Sequence, residues 1–576
     1  MEAKVDYMNI LNLNNLTVEH NKLLNDISLE IKGDYHKLIQ ELYLNVDNSI
    51  FWNVNSLLSR NNFLSKVFFD LCYLELVKRI SNESQISEII VLNHAQKDIL
   101  KNYFNKKQIK IIFVSNKKKQ IKDFFKPYYT FFLNFSFSFF SIVTRRAKRK
   151  NKLLNVKSEI TIIDTFVTPF EIESGKYISR HYPKEELWDY LSLKDKKSVY
   201  FVPEIVGSIN IISIINKLNL SDESFIFKND FLKITDYCKA LLSPLFIKKI
   251  NFDSFLFRDF KISPLLKADF YINISNPNSF KGILNYYFFK RVKESGIKLK
   301  LVVNWFENQP FDKGFNSGVR YFYPNTKAIG IQPFVQDLDF SFHLCPIKIE
   351  EDMQVIPKSI VVIGKKFEKL INKFYKDLNV KLGPSIRYKY LHSINEKHLS
   401  FTKKHILIAL PISLKESRDI ITVISDLFEN KNEFFRTKTW ILKPHPDLNL
   451  ILLEAEFVKI FKNFTIVIEP INDLLLRSSA IITNGSTVAF EAIVFGVPVC
   501  IIGAQNGFTQ NPIPKDIDSK IWELCYTEND LYNFLYKISQ YNDKDRKHLI
   551  EISKQTKIEY FEPINSNSVN RLLNLE

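Results

Sequence analysis

Residues 480–502 read AIITNGSTVAFEAIVFGVPVCII, and they contain one whole crossover unit. Ala480–Thr483 is a short unbroken apolar run, the pattern of a strand buried on both faces. Asn484-Gly485 is a tight-turn pair. A helical pattern starts near Thr487, Gly496 closes it, and Val497–Ile502 is the next apolar run. Strand, turn, helix and a second buried strand is the repeating unit of an open parallel α/β sheet.

The same kind of run recurs along the chain. Early examples are Ser49–Trp52, Ile89–Leu92, Ile109–Val114, Ile160–Phe166, Val199–Val202 and Phe270–Ile274. Later ones are Leu299–Asn304, Ala328–Ile331, Ser359–Ile363, His405–Leu410, Thr439–Leu442 and Phe464–Ile468. Two parallel sheets accommodate this number of runs, so the expected fold is α/β with two Rossmann-type domains. A polar, proline-bearing stretch near 345–358 is the expected boundary. It divides an N-terminal domain, residues 1–350, from a C-terminal one, residues 351–576, whose last segments read as helices. No internal repeat is evident.

The chain has 576 residues, enough for two to four cores, and 45% of them are hydrophobic. That excludes a disordered chain, and only 14 glycines exclude a collagen-like one. Net charge is +17, which suits an anionic partner without choosing among nucleic acid, lipid headgroups and phosphorylated substrates. Five scattered cysteines without a CxxC pair argue against a disulfide framework or zinc site. The N-terminal segment lacks a signal-peptide core, so a cytoplasmic location is expected. No RNA-binding fingerprint is present, and nucleic acid is not an expected partner.

Residues 117–152 interrupt the α/β pattern. From Tyr128 to Val143 the chain is almost all aromatic or aliphatic, broken by Thr130, Asn134, Ser136, Ser138 and Ser141. This run is shorter and more polar than the roughly 20 apolar residues of a spanning helix. Lys117, Lys118 and Lys119 precede it, and Arg145, Arg146, Lys148, Arg149 and Lys150 follow. An aromatic patch between cationic clusters suits an anionic membrane surface. The alternative is a buried helix followed by a solvated basic one.

Two loops carry the chemistry of the C-terminal half. KPHPDLN, residues 443–449, follows the run Thr439–Leu442. Its prolines hold Lys443 and His445 out of helix. The imidazole can donate to a phosphate oxygen, and Lys443 adds charge. The second loop is Gly485-Ser486-Thr487. Gly485 allows close backbone approach, Ser486 is the expected helix cap, and the hydroxyls with the first free amides suit an anion. Each feature also has an ordinary structural explanation, in turn formation and capping. Both loops, however, leave the same expected sheet edge. Glu491, Glu469 and Arg320 are the candidate nucleotide- or sugar-binding side chains. Glu491 could equally complement the helix dipole.

Four carboxylates are candidates for the reacting group: Glu307, after the run Leu299–Asn304, and Asp164, Glu171 and Glu173, in and after Ile160–Phe166. Spacing does not choose among them. Asp337-Leu338-Asp339 and Asp543-Lys544-Asp545 match a metal-binding DxD pattern but follow no clear strand, and both read as structural. No metal or other cofactor is expected.

KPHPDLN with TNGSTVAFEAIVFGVPV resembles the histidine-proline and serine/threonine motifs of bacterial surface-polysaccharide glycosyltransferases of the GT-B fold. The resemblance is strongest to capsule polysialyltransferases and Kdo transferases, which use CMP-activated acidic sugars. FWNVNSLLSRNNFLSKVF (51–68) and FENQPF add a looser match. The resemblance implies that His445, Ser486 and Thr487 contact the donor phosphate. It also implies a donor site in the C-terminal half, a glycan or glycolipid acceptor site in the N-terminal half, and no essential metal. A lipid-linked acceptor would place the protein at the inner face of the cytoplasmic membrane. Gly-Ser-Thr stands where many relatives have paired serines, which keeps the hydroxyl but loosens the donor assignment. Two alternatives remain: a CDP-glycerol-type polyol-phosphate transferase, and a non-catalytic membrane-surface scaffold.

Overall fold

A computed structural model describes residues 10–114, 117–144, 159–172, 177, 179, 182, 187–206, 211–248, 250–335, 340–394, 405–430 and 438–573. The N-terminal lobe holds a small parallel sheet of β1 (Ile10–Asn12), β2 (Glu88–Val91) and β3 (Lys110–Phe113). Helices Val18–Glu30, Lys32–Leu44 and Val67–Glu83 give it a core of its own around Leu24, Ile39, Leu71 and Val77.

The first large sheet is fully parallel. It uses β4 (Ile160–Val167) and β5 (Val199–Ile205), then β8 (Leu299–Trp305), β9 (Lys327–Gln332), β10 (Ser359–Val362) and β11 (Val380–Leu382), in the order β11-β10-β9-β8-β4-β5. A two-residue-strand hairpin, β6 (Leu256–Phe257) and β7 (Phe260–Lys261), lies between β5 and β8 in the chain. The second large sheet, also parallel, takes β12 (His405–Leu410), β13 (Thr439–Pro444), β14 (Phe464–Ile466), β15 (Ser478–Thr483), β16 (Val499–Ile502) and β17 (Trp522–Cys525). Its order is β14-β13-β12-β15-β16-β17. The expected architecture of two Rossmann-like parallel-sheet domains is therefore present, with the extra lobe beside it.

Several expectations need correction. The boundary near 350 falls inside the first sheet, because β10 pairs onto β9 and β11 onto β10. The second sheet starts only at β12. The stretch 345–358 is not an extended linker: Lys348–Asp352 is helical and Glu350 is wholly buried. Ser49–Trp52 is a helical turn, Ile50–Asn53, whose Trp52 stacks on Phe270. Phe270–Ile274 is the end of helix Ser263–Asn273, which Pro264 starts. A four- or five-residue apolar run reads alike in a strand and a buried helical turn, and in both cases packing against other elements decided.

The chain's last elements, Asp543–Tyr560 and Ser566–Leu573, are helices as expected. The final one returns to the first sheet. Val569 and Leu572 pack with Val361 and Ile386, and Arg571 Nε donates to the Leu382 carbonyl at 2.6 Å.

Candidate functional site

In a parallel sheet every connecting loop that follows a strand emerges at one edge. In the second sheet β12 lies between β13 and β15, so the KPHPDLN and Gly-Ser-Thr loops are about 10 Å apart, two strand spacings. Hydrogen bonds tie the KPHPDLN loop and the end of β15 to the end of β12, and the Gly485 turn to the loop after β16. The His445 amide donates to the Leu410 carbonyl at 3.0 Å, and the Gly485 amide to the Gln510 carbonyl at 3.1 Å. The Thr483 hydroxyl donates to the Ala409 carbonyl at 2.8 Å.

The His445 ring is 41% exposed. Its Nδ1 accepts the Asp447 amide at 3.1 Å. In a neutral imidazole the other nitrogen then carries the proton, so Nε2–H is the donor. The Pro-His-Pro frame thus sets both the backbone and the tautomer.

Gly485 has φ +54, the left-handed region, as its turn requires. Thr487 directly precedes helix Val488–Val494 with helical backbone and makes no side-chain capping bond, so the expected capping contact is left to Ser486. The Ser486 hydroxyl accepts the Val488 amide at 3.4 Å. The Ser486 and Thr487 amides meet no acceptor among the described residues. Asn484 is fully buried, and both polar atoms of its side chain lack a partner among the described residues. A buried unpaired amide is costly, by about 1–3 kcal/mol. Its place in this turn is a reason to look for a ligand there.

The structure adds a residue that the sequence reading missed. A Cβ on Gly485 would lie 3.3 Å from Glu416 Oε2, so this carboxylate stands directly beside the turn. Burial pushes the Glu416 carboxyl up, an effect the Lys415 ammonium opposes. Its signal was Ser413-x-x-Glu416 after β12, the form of a capping box. Ser413 does accept the Glu416 amide, at 3.3 Å.

Of the other candidates of this half, Glu491 lies in the first helical turn beside Thr487, whereas Lys443 and Glu469 are on the β14 side. Glu491 is 6% exposed and accepts the Tyr390 hydroxyl, and burial raises its pKa. Lys443 reaches the Ile468 carbonyl at 3.3 Å, on the β14 side and away from the Gly485 turn. Burial lowers its pKa, and nearby Glu469 opposes that. Glu469 itself is paired with Arg477.

The carboxyl edge of the first sheet holds a carboxylate network. Asp164, partly exposed on β4, accepts the Trp305 amide at 2.5 Å and Asn304 Nδ2 at 2.7 Å. Trp305 Nε1 donates to Glu307 Oε1 at 3.0 Å, and Gln309 Nε2 to Glu307 Oε2 at 2.6 Å. Asp312 Oδ2 accepts the Glu307 and Gln309 amides, both at 3.1 Å. Burial, partly offset by these donors, pushes the Asp164 carboxyl up to about 7. Asp312 is also raised, by burial and by the charges of Asp164 and Glu307. On the neighbouring strand, Glu204 is held at about 2: burial raises it, and Lys228 and Lys281 more than reverse that.

Glu171 is buried and accepts the Thr168 amide at 2.6 Å. Glu173 and the Asp337–Asp339 pair lie outside the described residues. Arg320 binds both oxygens of Glu351 at 2.9 Å. It sits near the end of helix Pro310–Phe322, about 15 Å along the axis from the sheet edge. Asp545 bonds the Asn542 amide and Lys520 in a helix cap, the structural role read for it.

Tyr388 joins the two edges. Its hydroxyl accepts the Val335 amide, beyond β9, at 3.2 Å, and the Thr487 side chain lies near enough to act on its phenol. Phe306 and Val335 share a core cluster with Ala409, Ile481 and Phe490. The carboxyl edges of both sheets therefore face one seam, with the Asp164 network on one side and the His445 and Gly485 loops on the other. A cavity of about 640 Å³ opens at the opposite edge of the first sheet, beside Thr161, Leu299 and Lys327, remote from this seam.

No family model matches the chain, and no curated protein sequence matches it. Solved structures are similar over most of its length. The S. aureus MnaA–UDP co-structure matches at 11% identity and TM-score 0.41, covering 73% of this chain and 98% of its own. UDP-GlcNAc 2-epimerase from Neisseria meningitidis bound to UDP-GlcNAc matches at 11% identity and TM-score 0.39, covering 73% and 99%. The glycosyltransferase SnogD from Streptomyces nogalater matches at 11% identity and TM-score 0.36, again covering 73% and 99%. Scores at this level describe a similar layout of chain and say nothing about chemistry.

Proposed function

We propose that the protein is a glycosyltransferase that moves a CMP-activated nonulosonic or ulosonic acid onto a surface polysaccharide or a lipid-linked glycan precursor, without a metal. The observation that carries the reading is the seam closed by Tyr388. One of the edges that meet beside Tyr388 offers hydrogen-bond donors suited to a phosphate, and the other carries a carboxyl group poised near neutrality, which supports the reading. Such an arrangement serves a displacement at an anomeric carbon.

In this reading the donor phosphate lies between His445 Nε2–H and the Ser486 and Thr487 amides. As the bond from the anomeric carbon to the phosphate oxygen breaks, the nucleotide leaves as an anion that these donors stabilise. Asp164 takes the proton of the acceptor hydroxyl as that oxygen attacks the anomeric carbon. Glu307, with both oxygens held, orients the acceptor. Glu416 beside Gly485 is the group best placed to bind a ribose or sugar hydroxyl. With a lipid-carried acceptor, the enzyme would work at the inner face of the cytoplasmic membrane.

Two measurements test the reading. His445→Ala should cut turnover by about 10²–10³-fold with the fold intact, the typical loss of one such donor. A scaffold would keep its partner binding unchanged. CMP should raise the melting temperature more than CDP, UDP or GDP. Stabilisation by UDP alone would sink the CMP assignment, and by CDP-glycerol alone would favour polyol-phosphate transfer.

A further inference from the structure

Helix Lys117–Thr144 is amphipathic in the reverse sense. Its polar residues Thr130, Asn134, Ser138 and Ser141 recur at helical spacing, and all four are buried against the protein. The Asn134 side chain donates to the Ser275 carbonyl at 3.0 Å, and Ser138 to the Asn134 carbonyl at 2.7 Å. The opposite face carries Phe124, Tyr128, Tyr129, Phe132, Phe135 and Phe139, each 50–65% exposed. An exposed aromatic stripe of this length is far beyond the scattered apolar residues of an ordinary surface.

We propose that this outer face docks in the plane of an anionic lipid surface. Charge selects the occupant. Between 117 and 150 the sequence has ten lysines and arginines against one acid, Asp123, in a chain of net charge +17. Anionic headgroups complement that set, and phenyl and phenol rings suit the boundary between headgroups and acyl chains.

A second copy of the chain fits worse. In a parallel or an antiparallel pairing of this helix, cationic ends of one copy would meet cationic ends of the other. Spanning does not fit either. The polar stripe is packed on the protein, and no helix among the described residues is long and apolar enough to cross a membrane. The inference rests on the helix alone and does not depend on the transfer reading.

The test is sedimentation of the full, nucleotide-free chain with vesicles of phosphatidylcholine, alone or with one-third phosphatidylglycerol. The chain should sediment with the anionic vesicles and be released as salt rises. Phe132→Ser/Phe139→Ser, at exposed positions, should weaken binding by at least about tenfold while leaving circular dichroism and melting unchanged. The proposal is overturned if the folded wild type ignores anionic vesicles, or if the double variant binds as well as the wild type. It is equally overturned if the helix face instead mediates dimers that the double substitution dissociates without lipid.

Discussion

Asp164 illustrates how one residue's role depends on its neighbours. Its two donors, the Trp305 amide and Asn304 Nδ2, come from the adjacent strand, 140 or more positions along the chain. They favour the ionised form, yet burial wins and holds the group near 7. A base is useful only when ionised. The rate at low substrate should therefore fall about tenfold per unit as pH drops below about 7. Asp164→Asn should lower kcat/KM by about 10²–10⁴-fold and abolish that acidic limb, as a pH-rate series would show. If the variant keeps the wild-type acidic limb, the base is elsewhere, and Glu307 is the next to substitute. The sequence named Asp164 and Glu307 among four acids. It did not show that Trp305 bonds to both.

At the scale of elements, close approach decides more than helix propensity. Helices Pro277–Glu294 and Pro310–Phe322 cross at Gly282 and Gly314. A Cβ on Gly314 would lie 1.9 Å from the Gly282 carbonyl oxygen, closer than any real contact. The helices must part to admit it. Gly314→Ala should therefore destabilise by about 3 kcal/mol, despite alanine's better helix propensity, and move the urea midpoint down. An unchanged midpoint would show that the crossing relaxes freely. The second of these helices begins at Gln309 and Asp312, whose capping contacts also hold Glu307 in place, so the crossing bears on the site as well as on stability.

Across the whole molecule, a buried ion cluster ties the lobes. Glu350 pairs with Arg60 at 2.6 Å and Lys313 at 2.8 Å, and all three side chains are fully buried. Asn308 Nδ2 reaches both Glu350 oxygens, at 3.3 and 3.2 Å, and Lys313 also donates to the Tyr43 hydroxyl at 2.9 Å. Three segments distant in sequence meet there, one turn from Glu307. Burial raises the Glu350 carboxyl, but the two cations overcome it and hold the group at about 2. A carboxyl lowered on folding adds stability that is complete above its ordinary value of 4.5 and is lost as pH falls through about 2. Glu350→Gln leaves two buried cations without a counter-charge. We expect a loss of about 3–5 kcal/mol at neutral pH, measured by chemical unfolding, and a weaker acid dependence than wild type.

The amino-acid sequence by itself determined the two parallel sheets and the edge from which the chemical loops emerge. Runs such as HILIAL and AIIT are apolar on both faces, bounded by turn residues and repeated with helical patterns between them, as covered parallel strands are. It also placed His445 and Gly485–Thr487 on a common edge, because every loop after a parallel strand leaves on the same side. Tertiary structure alone decided that β10 and β11 complete the first sheet, that Glu416 stands beside Gly485, that Glu350 is buried, and that the helix at 117–144 turns its aromatics outward. Each of these depends on a partner remote in sequence. Local periodicity records which residues share a face, but the direction that face points is set by what packs against it.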